Sequence, residues 1–166
     1  MQLHRNVLKP DTIDRVLKEI DNGTKKNLWR PASFLWHSDL LSTYAGECLT
    51  RNLGDRLCDS ILKDVTPFFP EHSSTHISMN MWLKGSGITF HNDANYAFGA
   101  TIYLNKKWNP DHGGIFIWEV NNRQYRGVCP EFNTMVLNDL GQNHQVTAIS
   151  PYAKDARITI QIFGKN

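Results

Sequence analysis

The sequence is poor in cysteine and has no long hydrophobic run. Its three cysteines, Cys48, Cys58 and Cys129, form no C-x-x-C pair, and an odd number argues against a disulfide framework. No segment approaches the roughly 18 consecutive apolar residues of a transmembrane helix. Residues 1–9 lack the charged and then apolar pattern of a secretory signal. We therefore expect a protein of a reducing compartment and predict a cytoplasmic location.

The chain also lacks a strong excess of one charge. It has 18 Lys and Arg against 16 Asp and Glu, for a net charge of +2, and its basic residues form no cluster. This balance argues against nucleic acid or a membrane as the main partner. With 166 residues, of which 40% are hydrophobic, the chain is long enough to bury one core. We expect a single domain over residues 1–166.

Two amphipathic helices are predicted in a helical support region that spans residues 1–70. The first has Asp11 as its N-cap and ends at Asn22-Gly23. Its apolar positions are Ile13, Val16, Leu17 and Ile20. The second helix ends before Pro67, and its apolar positions are Leu53, Leu57, Ile61, Leu62 and Val65. Residues 24–50 contain scattered aromatic side chains without a clear period, so no element is predicted there.

Residues 71–166 have a different pattern, in which short alternating segments are separated by turn residues. The predicted strands are 77–83, 88–91, 98–104, 114–120, 123–128, 134–137, 144–149 and 157–163. Asn121-Asn122 is predicted as a two-residue hairpin turn, because asparagine tolerates positive φ. About eight short strands are typical of an all-β sandwich or barrel. We therefore predict a mainly β fold with the two helices packed on one sheet face.

The tripeptide His91-Asn92-Asp93 ends one of these strands and is the first candidate for chemistry. On extended backbone, residues two apart point to the same side, so an imidazole nitrogen lies beside a carboxylate oxygen. With one distant histidine they would form a 2-His-1-carboxylate facial set, which leaves open positions on a ferrous ion. His144, which follows the turn at 141–143, is the candidate third ligand. One histidine among seven is a weak signal, so the three residues carry weight only in combination.

The last predicted strand places a basic residue on a polar face. Its isoleucines share one side, and the other side carries Arg157, Thr159, Gln161 and Phe163. The isoleucine side is apolar enough for a core, so the other side must line either solvent or a polar cavity. The planar guanidinium of Arg157, with a hydroxyl two residues on, is suited to binding a carboxylate. The alternative interpretation is a surface arginine on an edge strand.

Other histidines make weaker candidates. His72 and His76 are four apart, which is the spacing of a zinc pair on a helix. The intervening Ser73-Ser74-Thr75 follows Pro70 and instead predicts a turn or the start of a strand. His112 lies in a predicted turn before Gly113-Gly114, and we expect it to be solvated.

The ordered set of motifs H-x-D, Y-L-N-x-x-W, G-G, a distal His and R-x-T resembles the 2-oxoglutarate- and Fe(II)-dependent dioxygenases. It is most similar to their prolyl 4-hydroxylase-like branch. The matching pieces are His91-Asn92-Asp93, Tyr103-Leu104-Asn105-Lys106-Lys107-Trp108, Gly113-Gly114, His144-Gln145-Val146 and Arg157-Ile158-Thr159. Each piece alone is weak, but all five in this order, over roughly half the chain, make a specific signal.

The resemblance implies a double-stranded β-helix, or jelly roll, as the core at residues 71–166. It implies that His91, Asp93 and His144 are catalytic and bind Fe(II). It further implies that 2-oxoglutarate binds through its distal carboxylate to Arg157 and to the hydroxyl of Tyr103, with Thr159 completing this cofactor-binding group. Dioxygen would be the second co-substrate, and ascorbate is expected as the reductant.

The reaction implied is hydroxylation of an unactivated C–H bond. A prolyl residue in a peptide or protein is the first candidate substrate, and a free amino acid or other small molecule is the second. A non-enzymatic jelly-roll binding module is the alternative of another class, because fold does not determine function. We expect the loop Ala94–Phe98, with Asn95 and Tyr96, to contact the substrate.

Two features depart from the pattern of the family. Trp82 stands where many members have a tyrosine, and an indole can only donate a hydrogen bond. The spacing from His144 to Arg157 is longer than usual, and the additional residues 150–156 include Lys154, the residue type that some relatives use as the anchor. We prefer Arg157 because it lies in strand register with Thr159.

Overall fold

The computed structural model describes residues 1–32, 46–121 and 123–166, and within them it is mainly β. The strands are β1 (Gln2–Arg5), β2 (Arg30–Pro31), β3 (Cys48–Arg51), β4 (Ser74–Trp82), β5 (Ile88–His91), β6 (Phe98–Tyr103), β7 (Phe116–Asn121), β8 (Gln124–Val128), β9 (Thr134–Asn138), β10 (His144–Val146) and β11 (Arg157–Lys165). The helices are α1 (Pro10–Lys25) and α2 (Asp55–Val65), and 3₁₀ turns occupy Thr66–Phe68 and Pro110–His112.

The strands form two antiparallel sheets that enclose a cavity. The larger sheet has the order β1-β9-β6-β11-β4-β3-β2, and the smaller sheet has the order β5-β10-β7-β8. All eight strands predicted after residue 70 are present as β4 to β11. The prediction of a mainly β jelly roll is confirmed.

The outer face of the larger sheet carries the main hydrophobic core. Alternate residues of β11 point to opposite faces, and Ile160 and Ile162 on one face are fully buried. They pack in one cluster with Val16 of α1 and Ile61 of α2. Both helices therefore lie on one sheet face, as predicted, and they cover the side of β11 that faces away from the cavity.

The ends of α1 differ from the prediction. The helix begins at Pro10, and its N-cap is Lys9 rather than Asp11, which lies in the first turn; proline is favoured at this first helical position. The helix continues through Asn22-Gly23 to Lys25. Gly23 lies inside the helix rather than ending it, and it is buried beside the Arg51 guanidinium, which a Cβ at this position would displace. The glycine permits close packing.

The described part of the first 70 residues also contributes three strands that the sequence pattern did not reveal. β1 pairs with β9, and β3 pairs with β4 and β2, so these strands form both ends of the larger sheet. None exceeds four residues, which is too short for a visible alternation. A sheet shared between residues 1–70 and 71–166 supports our proposal that the chain is a single domain.

Two further predictions concern the loops. Asn121 belongs to β7 and pairs with Gln124, so it is part of the strand rather than of the predicted turn. Arg123 has a φ of 70°, whereas Asn122 lies outside the described residues. Residues 33–45, a part of the stretch without predicted elements, also lie outside them.

In the described ranges, no helix is both long and apolar enough to span a membrane.

Truncating the core side of β11 should destabilise the fold. Ile160→Ala should lower the free energy of unfolding by about 2–5 kcal/mol, because a fully buried side chain is replaced by a cavity. Urea titration followed by circular dichroism measures this change. Leu140, which is 76% exposed, provides the control, and Leu140→Ala should change the free energy by no more than about 0.5 kcal/mol. An equal loss in both variants would contradict this core.

Candidate metal centre

A polar cavity lies between the two sheets. Its wall includes Gln161 and Phe163 from β11, Asn138 from β9 and Phe116 from β7. These β11 residues are on the strand face opposite the isoleucines. Of the two environments that the sequence left open for this face, the structure shows the polar cavity.

Three side chains meet at one end of this cavity. His91 ends β5, Asp93 follows it by two residues, and His144 begins β10 directly opposite His91 in the strand register. His91 Nε2 is 3.9 Å from Asp93 Oδ1, and His144 Nε2 is 3.5 Å from Asp93 Oδ2. One ligand atom from each residue lies within 4.8 Å of the other two. The structure therefore brings the three predicted ligands to one point.

Backbone carbonyls determine which nitrogen of each histidine faces this point. Nδ1 of His91 is 2.8 Å from the carbonyl oxygen of Thr89, and Nδ1 of His144 is 2.9 Å from that of Gln142. A carbonyl oxygen only accepts hydrogen bonds, so each Nδ1 carries the proton and donates. Each Nε2 then presents its lone pair toward Asp93, which is the tautomer that a metal ligand requires.

The surroundings of His144 favour its neutral form. Burial lowers the pKa of His144, and the adjacent His91 lowers it further, whereas the carboxylate of Asp93 opposes both effects. The ring of Phe116 stacks on the imidazole, with centroids 4.9 Å apart and planes 15° apart. A metal binds the neutral imidazole, so at neutral pH no proton has to be displaced from His144.

A β-bulge in β5 directs His91 into the cavity. Val146 pairs with Ile88 and His144 pairs with His91, so three residues of β5 advance against two of β10. Ile88 and His91 both line the cavity, although regular alternation would place them on opposite faces. The sequence gives no direct sign of this extra residue.

Two residues that shape the centre were not predicted from the sequence. At Gly99 on β6 a Cβ would lie 2.8 Å from Asp93 Oδ2, so the missing side chain makes room for the carboxylate. The side chain of Asn138 accepts a hydrogen bond from the Gln142 backbone N–H at 2.9 Å and donates to the Gln142 carbonyl at 3.1 Å. It thereby holds the turn before His144. A glycine inside a buried strand was the available signal for Gly99.

Arg157 begins β11 and is 1% exposed. Its guanidinium carbon is 5.4 Å from the ring centre of Trp82 and 5.1 Å from that of Tyr103. Among the described residues, its Nε and Nη2 atoms and the Tyr103 hydroxyl have no hydrogen-bond partner. Buried polar groups are normally paired, so these unpaired donors form a pocket suited to an anion.

The protonation states in this pocket leave the donors intact. Burial raises the pKa of Tyr103 to about 12, although Arg157 opposes the shift, so the hydroxyl keeps its proton. Burial raises the pKa of the Cys48 thiol to about 12 as well, with Arg157 opposing, so it offers no negative charge. Thr159 is fully buried, and its Oγ1 accepts a hydrogen bond from Trp82 Nε1 at 3.2 Å. The hydroxyl proton of Thr159 remains available as a donor.

Lys154, the alternative anchor, and the pair His72 and His76 are weaker candidates in the structure. Lys154 is exposed, so the buried Arg157 is the better candidate for holding an anion inside the barrel. His76 lies in β4 and His72 precedes this strand, which confirms the predicted turn and strand rather than a helix. His112 is half-buried, with its ring 5.7 Å from that of Trp108. His112 lies in a turn, as predicted, and because it packs against this indole it is only partly exposed to solvent.

The predicted substrate loop lies at the rim of the cavity. Tyr96 is 38% exposed, and its ring centroid is 4.8 Å from that of Phe163, which lines the cavity. The Tyr96 N–H donates to the carbonyl of Asp93 at 2.9 Å. Asn95 lies between them on the surface. A turn that includes the candidate ligand thus positions an exposed aromatic ring beside the entrance.

Comparison with known proteins shows a clear likeness in structure alone. No family model and no curated protein matches the sequence. The crystal structure of a Pseudomonas putida prolyl-4-hydroxylase is similar with a TM-score of 0.72 and 14% identity, covering 99% of this chain and 92% of that chain. A Trichoplax adhaerens prolyl hydroxylase in complex with a hypoxia inducible factor peptide fragment has a TM-score of 0.72 and 16% identity, covering 99% and 82%.

A third similar structure is the viral collagen prolyl hydroxylase of Paramecium Bursaria Chlorella virus-1 in complex with 2OG. It has a TM-score of 0.66 and 12% identity, covering 98% of this chain and 93% of that chain. At these identities the likeness establishes the fold, and it agrees with the jelly roll that the sequence predicts.

Adding one methyl group at Gly99 should weaken metal binding without removing a ligand. The Cβ of Gly99→Ala would displace the Asp93 carboxylate, and we expect the affinity for Fe(II) to fall about 10- to 100-fold, as for other changes beside metal ligands. Anaerobic titration with Fe(II) measures this affinity. Gly54→Ala is the matched control, because a Cβ there meets no atom within 4 Å. Unchanged affinity in Gly99→Ala would contradict ligation by Asp93 in its observed position.

Proposed function

We propose that the protein is an Fe(II)- and 2-oxoglutarate-dependent dioxygenase of the prolyl 4-hydroxylase-like type. The observation that carries this proposal is the combination of two features in one barrel. His91, Asp93 and His144 converge on one point, and the same barrel buries the guanidinium of Arg157, whose Nε and Nη2 atoms are unpaired among the described residues. Structures named as prolyl hydroxylases share the fold, which supports this choice among the functions that jelly rolls perform.

The three converging side chains fit a ferrous ion. Two imidazole nitrogens and one carboxylate oxygen are the donor set of non-haem iron centres, and their placement on one side leaves positions open for other ligands. The bound metal, 2-oxoglutarate and dioxygen would supply the oxidising chemistry that amino-acid side chains lack. The protein's own tasks are to hold His91 and His144 with Nε2 directed toward the metal position and to hold Asp93 beside them.

The pocket around Arg157 fits the distal carboxylate of 2-oxoglutarate. Nε and Nη2 of the guanidinium can donate to both carboxylate oxygens, and charged hydrogen bonds of this kind are roughly twice as strong as neutral ones. The hydroxyls of Tyr103 and Thr159 would add two neutral donors. Trp82 acts here on Thr159, whose hydroxyl it orients by donating to Oγ1. The proposed role of the indole is therefore to arrange a donor.

The apolar part of the cavity wall would keep water from the reacting atoms. Ile88, Phe116 and Val146 line the cavity beside the three candidate ligands. A dry cavity of fixed shape favours reaction at one oriented C–H bond. The protein thus contributes orientation and exclusion of water, and ascorbate would serve as an external reductant.

A prolyl residue in a peptide or protein is the substrate that we propose. Support comes from the peptide bound to one structural neighbour and from Tyr96, whose exposed ring beside the entrance offers a flat apolar surface to a proline ring. We also propose a cytoplasmic location, to which the three free cysteines are suited. The net charge of +2 argues against nucleic acid or a membrane as the main partner.

Turnover of 2-oxoglutarate tests the proposed chemistry. With Fe(II), ascorbate, oxygen and a peptide substrate, the wild-type protein should form succinate, and Asp93→Ala should abolish this activity. Arg157→Ala should mainly raise KM for 2-oxoglutarate, by roughly 30-fold or more, because losing one partner of a buried charged pair costs about 2–5 kcal/mol. Lys154→Ala is the control and should leave KM unchanged. Succinate formation that persists in Asp93→Ala would refute the proposal.

A substrate panel tests the peptide assignment. Proline-containing peptides should gain one oxygen atom, detected by mass spectrometry, and Tyr96→Ala should raise KM for the peptide. Free amino acids should stimulate 2-oxoglutarate turnover much less. If only free amino acids or other small molecules are hydroxylated, the peptide assignment is wrong, although the enzyme class stands. A protein that takes up no Fe(II) under anaerobic conditions would instead be a binding module.

A further inference from the structure

The side-chain amides of Asn80 and Gln161 form a buried pair beside the cavity, and neither is one of the candidate ligands or part of the Arg157 pocket. Asn80 on β4 is fully buried, and its Nδ2 group donates a hydrogen bond to Oε1 of Gln161 on β11. The Oδ1 atom of Asn80 has no hydrogen-bond partner in the described parts of the chain. Gln161 is 9% exposed and lines the same cavity as the three candidate ligands. A buried polar pair that is only partly satisfied requires an explanation.

The bond from Asn80 determines which end of the Gln161 amide is free for the cavity. Asn80 holds the Oε1 end, so the Nε2 end, with its two N–H donors, remains for a ligand. Trp82, another polar residue of this wall, directs its N–H to Thr159. The wall also includes Thr101 and Asn138, and the Asn138 side chain is bonded to the Gln142 backbone. The amide of Gln161 is a donor that its buried partner orients and leaves free.

The position of Gln161 along β11 places it on the metal side of Arg157. Residues two apart on one strand face are separated by about 6.6 Å, and Gln161 is two such steps from Arg157. The next inward-facing residue is Phe163, which pairs with Gly99, the glycine beside the Asp93 carboxylate. A diacid whose far end is bound by Arg157 and which extends toward the metal would bring its other carboxylate near Gln161.

We propose that the Gln161 amide donates a hydrogen bond to the metal-side carboxylate of the 2-oxo acid, and that Asn80 is the positioning residue that orients this amide. The inference rests on the proposed function, because it requires both the metal and 2-oxoglutarate. It assigns the two ends of the co-substrate to different residues of β11: Arg157 binds the distal carboxylate, and Gln161 binds the carboxylate at the metal.

Binding can be measured without turnover. Fe(II)-loaded protein is titrated with 2-oxoglutarate under anaerobic conditions, and the complex is followed by its visible absorption and by calorimetry. Gln161→Leu should raise Kd about 10- to 100-fold, because a hydrogen bond to a charged group is lost. Asn80→Leu should raise Kd by a smaller factor, since the amide remains but is no longer oriented. Gln124→Leu on the exposed part of β8 is the matched control and should bind as wild type.

A second variant keeps the inference testable if Gln161→Leu does not fold. Gln161→Glu keeps the size of the side chain and the acceptor for Asn80, so the hydrogen bond between these two residues is retained. Its carboxylate replaces the N–H donors and repels the ligand, so Kd for 2-oxoglutarate should rise at least as much as in Gln161→Leu. The affinity for Fe(II) alone is measured first in each variant and should stay within a few-fold of wild type.

A 2-oxo acid without the distal carboxylate distinguishes the contribution of Gln161 from that of Arg157. For 2-oxopentanoate, Gln161→Leu should raise Kd by the same factor as for 2-oxoglutarate, whereas Arg157→Ala should weaken only the diacid. Wild-type affinity in both Gln161 variants would overturn the inference and leave the proposed function intact. An effect of Gln161→Leu on the diacid alone would also overturn it. Wild-type protein that binds Fe(II) but no 2-oxoglutarate would overturn both.

Discussion

Strand β11 separates two chemically opposite environments, and the rest of the structure depends on this separation. Ile160 and Ile162 face the helices, whereas Arg157 and Gln161 face the cavity. A slip of one residue in the pairing would move every side chain to the opposite face, leaving the guanidinium in the apolar core. The strand is held by antiparallel pairing with β4 along its whole length and with β6 along most of it. This fixed register also sets the distance between the anion pocket and the candidate metal centre.

The polar interior lowers the stability that the barrel could otherwise reach. A buried guanidinium with unpaired nitrogens is unfavourable, and the partly satisfied amide pair of Asn80 and Gln161 adds to this cost. Burial of the apolar layer between the helices and the larger sheet offsets this free-energy cost. The structural role of α1 and α2 is therefore to supply this layer. A ligand that pairs with these donors binds the folded state alone and therefore stabilises it. In this barrel, occupancy of the cavity and stability of the fold are coupled.

Local sequence patterns were sufficient for the residues whose positions follow from strand alternation. Asp93 follows His91 by two residues at the end of β5, and the side on which Arg157 points follows from its isoleucine neighbours. Features that depend on contacts between distant segments were not predictable. The bulge in β5, the space that Gly99 leaves for a carboxylate and the turn held by Asn138 exist only once the strands are assembled. Strands β1 to β3 were not predicted, because pairing with neighbouring strands, rather than their own sequence patterns, defines them.

The candidate metal centre depends on backbone geometry more than on many particular side chains. Backbone carbonyls orient both histidines, a bulge directs His91 inward, and Gly99 contributes only the lack of a side chain. A centre built in this way constrains the path of the chain but leaves most side chains free to vary. Sequence comparison then loses its signal, while structures with 12% to 16% identity still superimpose on nearly the whole chain. The side chains to which we assign specific chemistry are the three proposed ligands and the proposed anion anchor, and these are the residues that the ordered motifs identified.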